Sequence, residues 1–162
     1  MLTSVKERSM EVSSLLVRGA IDLNMSPASK TEWIEQLVDL LVRAYRVQGR
    51  DEILRAVLER EATLSTAIGN GVAVPHAKVD GVPRLLLAFG RAPQGVDFDS
   101  PDGKPVYAAF LLVSPKAVAS PHVQALAAIS RIMIRDGVTD RVLEVGSPRA
   151  FIRLLKAEEA EL

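Results

Sequence analysis

Gly69-Asn70-Gly71-Val72-Ala73-Val74-Pro75-His76 is the stretch on which the reading of this chain turns. Its glycine–asparagine turn suits backbone conformations with φ > 0, which tight turns require. Val72 to Val74 form an apolar run of minimal strand length. Pro75 has no N–H to give to a ladder, so the strand is expected to end there. His76 is then expected at the rim of a sheet, where a rigid scaffold presents side chains for chemistry.

The surrounding composition narrows what such a histidine can do. The chain has 162 residues, 48% of them hydrophobic, which fits one globular domain over 1–162 with a core of about 12–157. Lys plus Arg equals Asp plus Glu, at 20 each, which argues against a nucleic-acid partner held by bulk charge. There is no cysteine, so disulfides, thiol nucleophiles and thiolate metal sites are excluded. The two histidines are far apart in sequence, and no metal centre or cofactor is expected. No apolar run suggests a signal peptide or a membrane span, so a cytoplasmic protein without membrane insertion is the expectation. Walker, Gly-x-Ser-x-Gly and His-Glu-x-x-His patterns are absent, and Gly69-x-Gly71 precedes a strand rather than joining strand to helix.

Working outward, residues 1–11 are polar and show no period, and Val12 to Leu23 suggest a short strand or turn. Ser29 to Glu32 fit a capping box, and Trp33, Ile34, Leu37, Val38, Leu41 and Ala44 predict a helix over about 31–46, stopped by Gly49. Asp51 is expected to cap a second helix, with Arg60 and Glu61 at or just beyond its end. After the 72–75 strand, residues 78–83 read as a loop. Leu85 to Phe89 and Val106 to Val113 read as central strands, and Gln94 to Phe98 as a short edge strand. Ser120 is expected to cap a helix with Pro121 at its first position, and Gly137 to end it. Thr139 and Asp140 start a short helix, Ser147-Pro148 a last one, and the tail from Glu158 is expected to be loose. Strands alternating with helices predict an α/β sandwich.

Arg60-Glu61, Ser65-Thr66-Ala67-Ile68-Gly69 and Gly71-Val72-Ala73-Val74-Pro75-His76 together resemble the active-site segment of the type 2 EIIA domains of the bacterial phosphoenolpyruvate-dependent phosphotransferase system. This family includes the fructose, mannitol and nitrogen-regulatory EIIA proteins. The signal lies in the length of the match and its spacing, and the resemblance can be followed from about Val12 to Leu155. Ala67 stands where the family usually has glycine, so φ > 0 there would strain this chain. The resemblance implies a mixed, mostly parallel sheet flanked by helices on both faces, as in mannitol-type EIIA.

It also implies roles. His76 would be the phosphoacceptor, since a neutral imidazole offers a free nitrogen lone pair. His122, near a helix N-terminus that favours anions, would donate a hydrogen bond to the phosphoryl group. Arg60 would neutralise phosphoryl oxygens. Ser65 and Thr66 would add hydroxyl donors. The phosphoryl donor would be phospho-HPr or a paralogue. The acceptor would be an EIIB-type component or a regulated protein. Without a membrane segment or second domain, a free-standing EIIA is expected, and Gly69-Asn70-Gly71 with Lys78 leans toward the nitrogen-regulatory branch. A shallow apolar patch around His76, with Val79, Val82 and Pro83, is the expected docking surface. The alternative is an interaction module of the same fold that acts by protein binding with little or no phosphotransfer.

Overall fold

The computed structural model describes residues 10–162, so most of the polar 1–11 stretch lies outside the described residues. A short helix α1 (Val12–Leu15), a 3-10 turn (Arg18–Ala20) and strand β1 (Ile21–Asp22) come first. Helices α2 (Lys30–Tyr45) and α3 (Arg50–Thr63) follow, then three short strands, β2 (Ala67–Gly69), β3 (Val72–Ala73) and β4 (His76–Val79). The long strands β5 (Leu86–Val96) and β6 (Val106–Pro115) precede α4 (Ser120–Met133), α5 (Val138–Glu144) and α6 (Pro148–Ala160). Among the described residues, no helix is long and apolar enough to cross a membrane.

One mixed sheet holds all six strands, in the order β1-β5-β6-β3-β2 with β4 also on β6. β1 on β5, and β3 and β4 on β6, are parallel; β5 on β6 and β2 on β3 are antiparallel. β6 therefore runs through the middle, and its side chains alternate between two cores. Ala109, Leu111 and Val113 face a core built with α2 and α3, while Ala108, Phe110 and Leu112 face one built with α4, α5 and α6. That period-2 division explains why the run is apolar throughout: both faces are covered.

Several boundaries differ from the sequence reading for local reasons. Ser29 does cap α2, its Oγ accepting from the Glu32 N–H at 3.2 Å. The helix ends, however, on Arg46 in the left-handed region, and Gly49 (φ 82°) begins α3 rather than stopping α2. Ser120 is not a cap: Ala119 holds that position, Ser120 is the first helical residue, and its Oγ accepts from Gln124 Nε2 at 3.3 Å. The proposed edge strand at 94–98 is mostly the end of β5, rejoined to β6 at Val96 after an irregularity. The acidic tail is held rather than loose. Glu158 is buried with Arg135 and Arg141 on its carboxylate, and Glu159 accepts from the Ser13 N–H at 2.7 Å.

Candidate active site

The Gly69-Asn70-Gly71 turn carries three successive positive φ values, of 89°, 56° and 77°. It reverses the chain so that β3 lies between β2 and β6. Pro75 lies in the two-residue break between β3 and β4, so the strand does end here as its sequence suggested, but only briefly. Its missing N–H removes one rung, but its carbonyl accepts from the Leu112 N–H at 3.0 Å. Pairing resumes at once, with His76 opposite Leu112 and Lys78 opposite Ser114. His76 is thus the first residue of β4, and residues 78 and 79 are strand rather than loop. Ala67 has no positive φ and lies buried in β2, so alanine is unstrained there.

His76 and His122, 46 positions apart in the chain, come together with ring centroids 5.4 Å apart and planes at 62°. The parallel pairing of β4 with β6 and the return of the chain into α4 produce this approach. Both rings line a shallow depression of about 490 Å³, with Ala56, Arg60, Thr63 and Lys78 among its walls. Arg60 sits inside the last turn of α3, not beyond it, and its Nη1 donates to the Leu64 carbonyl at 2.7 Å. It therefore closes the helix end while keeping further guanidinium N–H groups for the depression.

His76 Nδ1 lies 2.8 Å from the Val74 carbonyl. A carbonyl only accepts, so Nδ1 carries the proton and Nε2 keeps its lone pair. Burial pushes the His76 pKa below the ordinary imidazole value; the Arg60 charge adds to this, and the Val74 carbonyl and Glu61 oppose it. The His122 pKa is pushed down to about 4, first by burial and then by His76 and Lys78. Both rings are accordingly neutral at pH 7. His122 itself is only 5% exposed, and its Nδ1 is 2.5 Å from the Ser114 hydroxyl.

Ser65 and Thr66 are not brought to the depression. Ser65 Oγ donates to the Phe98 carbonyl at 2.7 Å, and Thr66 Oγ1 donates to Glu61 Oε2 at 2.5 Å. Glu61 pairs with a base from another helix: Lys30 Nζ lies 2.8 Å away. It also accepts from the Thr66 N–H at 3.0 Å. From there a chain of contacts reaches the ring: the Thr66 carbonyl takes the Val74 N–H at 3.0 Å, and the Val74 carbonyl takes His76 Nδ1–H. The buried carboxylate thus anchors the segment that orients His76. Of the expected docking residues, Val79 and Val82 are buried in the core and Pro83 is exposed; Leu64 (71% exposed) and Val123 (61%), next to Arg60's helix end and to His122, are further exposed apolar side chains. Ser114 carries one signal in the sequence, a hydroxyl near the end of a mostly apolar strand.

Residues 14–158 match the family model described as phosphoenolpyruvate-dependent sugar phosphotransferase system, EIIA 2. The chain is 40% identical over 137 residues to the PTS system fructose-specific EIIA component of Haloferax volcanii, a match spanning 85% of this chain and 89% of that one. Its fold is similar to the nitrogen regulatory protein IIA-Ntr from Neisseria meningitidis (TM-score 0.80, 28% identity, 89% and 98% of the two chains). It is also similar to the mannitol enzyme IIA of Escherichia coli, solved in complex with phosphorylated mannitol enzyme IIB (TM-score 0.75, 24% identity, 88% and 97%).

Proposed function

Because this chain belongs to the EIIA 2 family of the phosphoenolpyruvate-dependent sugar phosphotransferase system, we propose that it is a phosphocarrier whose acceptor atom is His76 Nε2. The observation that carries this reading is the bond from Nδ1 to the Val74 carbonyl, which leaves Nε2 unprotonated beside Arg60 and His122. A PO₃⁻ group moves. The N–P bond of the donor phosphohistidine breaks, its electron pair returns to the donor nitrogen, and the His76 Nε2 lone pair forms the new bond. No proton needs to move, and Nδ1–H stays on the Val74 carbonyl, which supports the positive character of the phosphorylated ring. Positioning and charge stabilisation do the rest. Arg60 and Lys78 offset the negative oxygens, and the neutral His122 donates to one of them. Ser65 and Thr66 serve indirectly, by holding Phe98 and Glu61.

Phospho-HPr or a paralogue is the proposed donor, in the cytoplasm. The acceptor is an EIIB-type component, a pairing supported by the mannitol neighbour's complex with its phosphorylated IIB. The fructose-specific relative is the more similar in sequence, which favours the sugar branch over the nitrogen-regulatory one. Incubation with phosphoenolpyruvate, enzyme I and HPr should add one acid-labile phosphoryl group per chain, and His76→Ala should abolish it. An unlabelled wild type that still binds partner proteins would instead identify an interaction module.

A further inference from the structure

Ser114, the penultimate residue of β6, has no exposure to solvent and lies opposite Lys78, and among the described residues its hydroxyl has one hydrogen-bond partner, His122 Nδ1. A hydroxyl holds one proton. If Nδ1 accepts that proton, the serine is satisfied and the ring's hydrogen sits on Nε2. If Nδ1 were the donor, the buried hydroxyl proton would have no acceptor among the described residues. The same logic opposes the doubly protonated ring, because an imidazolium offers Nδ1–H where the serine needs a lone pair. We infer that Ser114 is a positioning residue: it fixes His122 as the neutral Nε2–H tautomer and so gives the depression a hydrogen-bond donor matched to a phosphoryl group on His76. The inference rests on the phosphocarrier reading and deepens it.

The two histidines are then complementary. His76 has Nδ1–H bound and an Nε2 lone pair free; His122 has its Nδ1 lone pair bound and Nε2–H free. Each ring is set by one oxygen behind it, the Val74 carbonyl for one and the Ser114 hydroxyl for the other. The low pKa of His122, about 4, accords with a ring kept from charging. Ser114 itself touches no reacting atom.

Long-range ¹H–¹⁵N correlation of the imidazole nitrogens in the unphosphorylated wild-type protein should give His122 an unprotonated Nδ1 and a protonated Nε2 at pH 7. A wild-type Nδ1–H tautomer overturns the inference without reference to phosphotransfer. In kinetic terms, Ser114→Ala should slow labelling of His76 at least fivefold, Ser114→Thr should recover most of it, and Ser114→Ala added to His122→Ala should change nothing further. An equal slowing in the His122→Ala background would mean that Ser114 does not act through His122. Should wild type fail to label at all, the phosphocarrier reading falls, and the nitrogen spectra still decide the tautomer.

Discussion

Glu61→Ala should destabilise the protein far more than Glu61→Gln, and the contacts set the difference. Glu61, 6% exposed, receives Lys30 Nζ at 2.8 Å, the Thr66 N–H at 3.0 Å and the Thr66 hydroxyl at 2.5 Å. Alanine takes the acceptor from both Thr66 donors and leaves Lys30 with the Phe98 carbonyl at 3.4 Å. Lys30 keeps only Asp99, at 3.3 Å and largely exposed, as a counter-charge. Breaking a buried ion pair from one side costs about 3–5 kcal/mol. At about 2–4 °C per kcal/mol for a chain of this size, the midpoint should fall by about 6–20 °C. Glutamine keeps an acceptor toward Lys30 and the Thr66 N–H, and its amide can donate to the threonine hydroxyl. What it loses is the charge, worth about 1–2 kcal/mol. Urea and thermal unfolding of both variants read this directly, and Lys30→Met combined with Glu61→Ala should recover part of the loss. Because Thr66 holds Val74 and Val74 holds His76, Glu61→Ala should also label more slowly. A Glu61→Ala protein within about 1 kcal/mol of wild type would refute the anchoring argument.

The His76 ring is held below the ordinary value of 6.5, so phosphoryl acceptance should persist as pH falls through 6.5 and decline only lower; an NMR titration giving 6.5 or above contradicts this. For His122 the unfolded chain takes up protons near 6.5 but the folded one only near about 4, so its contribution is intact above 6.5 and lost as pH drops toward 4. His122→Asn should flatten that part of the stability profile. Arg60→Ala should slow phosphotransfer from phospho-HPr by about 10²–10³ without abolishing it, the usual loss for one charge-stabilising group; an unchanged rate removes Arg60 from the site. Gly90→Ala should cost about 1–3 kcal/mol by overpacking, because a Cβ there would collide with Met25 Sδ and Leu37 Cδ2; denaturant midpoints measure it.

The long elements were legible because each carries a local signal. The Ser29 cap and helical period of α2, the Ser147 cap of α6 and the apolar runs that open β5 and fill most of β6 all declare themselves in neighbouring residues. What escaped depends on contacts across the chain. β4 looked like a loop because its pairing with β6 compensates for Pro75. Glu158 looked like a solvated tail because Arg135 and Arg141 reach it from 23 and 17 residues away. In the site, the Pro-His segment pointed to His76, and a helix start pointed to His122. The hydroxyls of Ser65 and Thr66 were plausible ligands by type, yet their partners, Phe98 and Glu61, are fixed by tertiary packing. Ser114 is invisible without the fold, since nothing in a strand's sequence reveals which histidine its last hydroxyl will meet.

On the proposed reading, His76 Nε2 is the atom that receives the phosphoryl group. The direct measurement is ³¹P–¹⁵N correlation on uniformly ¹⁵N-labelled protein after phosphorylation by phosphoenolpyruvate, enzyme I and HPr. Phosphorus should couple to Nε2 of His76, with Nδ1 still bearing its proton toward the Val74 carbonyl. Phosphorus on Nδ1 of His76, or on any other residue, would contradict that reading.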